Sequence, residues 1–101
     1  MEGEKMNANH FDSFKELFEV ISKIESEKEC REFLQDLCTI KELADMTQRL
    51  QVAKLLEQGK NYKEISELTG ASSATISRVN RCFLYSDGYK SMLAKLNDKK
   101  D

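Results

Sequence analysis

The chain of 101 residues has no proline, no tryptophan, only four glycines and a single histidine. Without proline, no helix is ended by a missing amide, so each break has to be written with glycine or with a side chain that caps free amides. One histidine, His10, together with Cys30, Cys38 and Cys82 at wide and irregular spacing, argues against a metal site. Three is also an odd number for disulfides, and reduced, buried thiols are expected instead. No apolar run approaches the roughly 20 residues that cross a bilayer. The N-terminus is rich in Glu and Lys where a signal peptide would be apolar, so a cytoplasmic protein with no membrane partner is expected. Paired carboxylates in an apolar setting, a nucleophile beside a base and a glycine-rich phosphate loop are lacking too. The sequence does not read as an enzyme and requires no cofactor.

What is present is helical periodicity. Apolar residues recur at three- and four-residue steps, so the fold class is all-α, with about six helices. Residues 1–10 are polar and aperiodic and are expected to be a flexible segment, with residues 11–97 forming a single helical domain. Asn9 or Asp12 is placed to cap the first helix, whose stripe is Phe11, Phe14, Leu17, Phe18, Ile21 and Ile24. A buried phenylalanine covers on the order of 150–250 Å². Three of them on one stripe exceed what a peripheral helix needs, which leaves an ordinary core helix or a subunit interface.

Ser26 and Glu29 have capping-box spacing and open a helix that turns Cys30, Phe33, Leu34, Leu37 and Cys38 inward. Thr39 and Glu42 form a second box, at the head of a long spine carrying Ile40, Leu43, Ala44, Leu50, Val52, Ala53, Leu55 and Leu56. Gly59 ends that spine. Asn61 and Glu64 form a third box. Residues 85–88 read as a turn, followed by a last helix with Tyr89, Met92, Leu93 and Leu96 and a polar tail from Asn97.

The segment from 62 to 84 organises the rest. A short amphipathic run ends at Gly70, and a second begins at Ser72 and Ser73 with Ile76, Val79 and Phe83 on one side. Two helices meeting across a tight glycine turn make a helix-turn-helix. Ile65, Leu68, Ile76 and Val79 are expected in the crossing, with Ser66 where the two backbones approach. At about 100° per residue, Ala74, Ser77, Arg78 and Arg81 then face outward. Ser72, Ser73 and Thr75 complete a small-residue tip at the helix start, the part that enters a major groove. Ala74 suits a thymine methyl, Ser73 and Ser77 suit base edges, and Arg78, Arg81 and Lys63 suit guanine or phosphate.

Charge agrees with that orientation. The chain carries a net −2. Residues 1–38 hold 5 Lys/Arg against 10 Asp/Glu, and residues 39–101 hold 11 against 8. The basic excess lies in the half with the helix-turn-helix, as a surface facing double-stranded DNA requires.

Ala74-Thr75-Ile76-Ser77-Arg78 is similar to the segment that opens the reading helix of the Trp repressor-like superfamily. Asp36-Leu37-Cys38-Thr39-Ile40, Gln48-Arg49-Leu50-Gln51-Val52-Ala53 and residues 69–79 resemble the YerC/YecD branch of TrpR-related bacterial proteins. The likeness spans roughly residues 11 to 97. It implies a Trp repressor-type helix-turn-helix in an interlocked homodimer, with Ser73, Ala74 and Ser77 toward the bases. It also places the groups that hold the repressor's ligand on Thr39, Arg49, Thr75 and Arg78. Two positions depart from that pattern. Val79 stands where the repressor keeps a glycine that makes room for the ligand, and Cys82 where it has a serine that binds the ligand amine. Val79 fills the space, so no response to tryptophan is expected. Two rivals remain: a protein–protein adaptor whose helix-turn-helix has lost DNA binding, and a replication or topology factor.

Overall fold

The computed structural model describes residues 10–98, and within them seven helical segments form two compact units that divide between Cys38 and Thr39. The first unit holds α1 (His10–Ser13), α2 (Lys15–Ser22) and α3 (Glu27–Leu37). The stripe read as one helix is therefore broken at Phe14, whose backbone (φ −94°, ψ 5°) leaves the helical region. Its ring stays on the stripe, edge-on to Phe18 with centroids 6.1 Å apart. Asn9 and the other residues before His10 lie outside the described residues. Asp12 sits inside the first turn of α1 and not ahead of it.

Neither α2 nor α3 has a buried residue. Leu17, Phe18, Val20, Ile21 and Leu37 are all more than a third exposed. Ion pairs between residues four apart, Lys15 with Glu19, Lys28 with Glu32 and Arg31 with Glu27, lace the polar faces. Being exposed, each adds a few tenths of a kcal/mol at about the usual helix-pair value. Such a unit is well specified as helix and poorly specified as a core.

The second unit is built on α4 (Ile40–Glu57), with α5 (Tyr62–Thr69), α6 (Ser73–Tyr85) and α7 (Gly88–Asp98) packed around it. Its core is Val52 and Ala53 of α4, Ile65 of α5, Ala71 in the turn, Ile76 and Val79 of α6 and Leu93 of α7. Leu55, Leu56 and Tyr89 close its edges. The boxes at Thr39 and Asn61 are complete, each side chain accepting from the amide three residues on while that residue's carboxylate accepts in return. Ser26 accepts from the Glu29 amide at 3.1 Å, but the Glu29 carboxylate reaches the Glu25 amide instead, one residue earlier than the box requires.

Several inward assignments do not hold. Leu68 is 66% exposed and Ile40 86%, each at a helix end that the core does not cover. Ser66 is exposed, and the small residue of the motif that is buried is Ala71 in the turn. The cysteines are free but not buried: Cys30 and Cys38 are half-buried and Cys82 is exposed. Tyr85 belongs to α6 as its last residue, not to the turn, and α7 runs on through Asn97 to Asp98. No described helix is long and apolar enough to cross a membrane.

Candidate nucleic-acid interface

The turn between α5 and α6 is fixed from three sides. Gly70 ends α5 in the left-handed conformation (φ 76°) and donates to the Ser66 carbonyl at 2.8 Å. Thr69 Oγ1 donates back to the Ile65 carbonyl and accepts from the Ala71 amide. Gln48 Nε2, on the spine, donates to the Thr69 carbonyl at 3.1 Å. That carbonyl is one of those a helix end leaves without an intrahelical donor. Gln48 thus ties the turn to α4. Its place in a family word was visible in the sequence, but its partner, 21 residues on, was not.

A methyl group at Gly70 would meet only Gln48 Nε2, at 3.9 Å, so the position is glycine for its φ and not for space. Gly70→Ala is therefore expected to cost about 1–2 kcal/mol, the left-handed penalty of an L-residue. Thermal denaturation checks it, with Gly70→Asn expected to lose less than alanine.

The reading helix starts cleanly. Ser72 Oγ accepts from the Thr75 amide at 3.1 Å and donates to Thr75 Oγ1 at 3.2 Å. The hydroxyls of Ser72 and Thr75 are thus engaged with each other, and Thr75 is half-buried. Ser73, Ala74, Ser77, Arg78 and Arg81 are exposed, as is Lys63 on α5. Ile76 and Val79 on the opposite side are buried in the core, and Phe83 is half-buried under the Lys90 ammonium, 5.5 Å from its ring centre. Among the described residues no carboxylate pairs with Lys63, Arg49, Arg78 or Arg81, and α6 contains no acidic residue. The charge on this face is unneutralised from within.

The family profile described as Trp repressor protein matches residues 12–97. The chain belongs to the Trp repressor family. Its relatives include YerC of Bacillus subtilis (strain 168), an uncharacterized protein 40% identical over 99 residues, which span 97% of this chain and 92% of YerC. A crystal structure of a candidate Trp repressor from Staphylococcus aureus is 43% identical, with a TM-score of 0.77 over 96% of this chain and 95% of that one. A TrpR-like protein from Eubacterium eligens ATCC 27750 is 38% identical, with a TM-score of 0.78 over 94% and 96% of the two chains. The Trp repressor family is one of regulators, not of enzymes.

Of the residues that the resemblance ties to the repressor's ligand, Thr75 and Arg78 share α6, and Thr39 and Arg49 share α4. Thr39 caps α4 and its Oγ1 accepts from the Glu42 amide at 3.0 Å. Ten residues separate it from Arg49, about 15 Å of helix. The two therefore lie nearly three helical turns apart along α4. Arg49 is half-buried and Arg78 exposed. Val79, 1% exposed, is part of the core, while Cys82 borders an apolar cleft with Leu50, Tyr89 and Met92. A second open cleft lies behind the turn, between Gln51 and Leu55 of α4 and Leu68 of α5.

Proposed function

We propose that this chain is a sequence-specific DNA-binding transcriptional regulator that works as an interlocked homodimer and does not respond to tryptophan. The observation that carries the reading is the outer face of α6, where Ser73, Ala74, Ser77, Arg78 and Arg81 stand exposed with no carboxylate to neutralise them. Small residues at the helix start permit close approach to base edges, and the arginines supply guanine or phosphate contacts. Lys63 adds a phosphate contact from the first helix of the motif. Ser72 and Thr75 contribute through their backbone and by holding the tip. Because short side chains discriminate weakly, much of the affinity comes from phosphates and bridging water.

The dimer is supported by the first unit, whose apolar stripe finds no core of its own. A second copy placed on a two-fold axis covers that stripe and sets two reading helices about 34 Å apart, one turn of DNA. Residues 11–97 act together as the working domain in this reading. Selection of bound fragments from a genomic library tests it: recovered sites should carry two-fold related half-sites one helical turn apart. An adaptor would enrich no fragment.

The insensitivity to tryptophan rests on Val79. Its side chain belongs to the core in the place where the resemblance puts ligand space. Calorimetric titration with tryptophan is expected to give no heat at millimolar ligand, and DNA affinity should be the same with and without it. Micromolar binding would overturn this part of the proposal.

A further inference from the structure

The outward row of α6 does not stop at Arg81. Ala74, Arg78, Arg81 and Tyr85 follow one another at steps of four, three and four. At about 100° per residue they fall within about 60° of one another. Tyr85 is 82% exposed, the most exposed aromatic ring on the described chain, and it stands at the C-terminal end of this row. The first carboxylate after it, Asp87, directly precedes α7, where a negative charge is favoured by the helix dipole.

Distance along the helix decides what Tyr85 can reach. It lies 11 residues beyond Ala74, about 16 Å at 1.5 Å per residue. A major groove is about 8.5 Å deep. If α6 enters the groove end first, with Ala74 and Ser77 near the floor, its last turn stands at or beyond the rim, among phosphodiester oxygens and away from base edges. Helical side chains also lean toward the N-terminus, which brings the ring back over the row toward Arg81. A phenolic hydroxyl is a neutral donor well suited to an anionic oxygen.

We propose that Tyr85 is a phosphate-contacting residue that clamps the outer end of the reading helix to the DNA backbone. This rests on the DNA-binding reading above. It adds a contact that fixes the insertion angle of α6 and not the sequence it reads.

The test uses the full chain and a fragment that the wild-type protein selects, with binding followed by fluorescence anisotropy across a salt series. Tyr85→Phe is expected to weaken binding about threefold per subunit, roughly tenfold for a dimer, by loss of one hydrogen bond at each end. The salt slope should not change, because a neutral hydroxyl displaces no counterion. Tyr85→Lys should steepen the slope by about two for the dimer, since each new ammonium against a phosphate releases one more cation. Unchanged affinity in Tyr85→Phe together with an unchanged slope in Tyr85→Lys overturns the assignment. So does a change in oligomeric state of either variant, measured by sedimentation, because Tyr85 would then belong to the subunit interface. Failure of the wild-type protein to bind any fragment refutes the DNA reading itself and is seen before any variant is made.

Discussion

Replacing Arg78 and Arg81 together by alanine is expected to lower affinity for a selected DNA fragment by two to three orders of magnitude. Each arginine contact to guanine or phosphate is worth about 1 kcal/mol or more, and a dimer presents four. About 4 kcal/mol is close to a thousandfold in the dissociation constant. The salt dependence should flatten as well, by as much as three to four in the logarithmic slope if all four meet phosphates. Fold stability should barely move. Both side chains are exposed and neither has a partner among the described residues, so nothing inside the protein is left unsatisfied. Anisotropy titrations beside thermal melts separate the two effects. A double variant that binds as well as wild type would leave the outer face of α6 without a role.

The second large effect is expected in the first unit. Leu17 and Ile21 lie one turn apart on α2, 38% and 40% exposed, in a unit with no buried residue of its own on α2 or α3. If a second copy covers this stripe, Leu17→Glu with Ile21→Glu places four carboxylates in the apolar interface of one dimer. Burial of an unpaired charge costs several kcal/mol, so the dimer should give way to monomer at micromolar concentration. Loss of DNA binding should follow, because one reading helix alone makes half the contacts. Sedimentation equilibrium reads the first outcome and anisotropy the second. Retention of the dimer in the double variant would mean that the stripe serves another purpose.

These two expectations rest on parts of the chain that were unequally legible in the sequence. The second unit was read nearly complete. Glycines at 59 and 70 mark the ends of α4 and α5, both adopt positive φ, and the boxes at Thr39 and Asn61 fix where α4 and α5 begin. Local chemistry decided those boundaries, and local chemistry is what a sequence displays. Ile65, Ile76 and Val79 were assigned to the crossing and are buried there. Leu68 was assigned with them on spacing alone, yet it turns to an open cleft. Periodicity names a face but does not say whether anything packs on its last residue.

What stayed hidden depends on contacts far apart along the chain. The bond from Gln48 to the Thr69 carbonyl joins positions 21 residues apart, and no spacing rule anticipates it. The break at Phe14 carries no proline or glycine to announce it, and the apolar rhythm runs straight through. The sequence places Tyr85 in the turn because Ser86, Asp87 and Gly88 are loop-forming residues, whereas α6 has one more residue of helix before its cap. The cysteines depart from expectation for a related reason. A thiol's general preference for burial says nothing about Cys82, which falls on a flank of α6 that the core does not reach.

The central claim is that two copies present their reading helices to one duplex through cations that the protein leaves unpaired. The most direct measurement is an equilibrium titration of a selected fragment between low and moderate salt, with stoichiometry read from the same curves. Two chains per duplex are predicted, and six cations from Lys63, Arg78 and Arg81 should give a logarithmic salt slope of about −5. Binding by one chain, or a slope near zero, would contradict it.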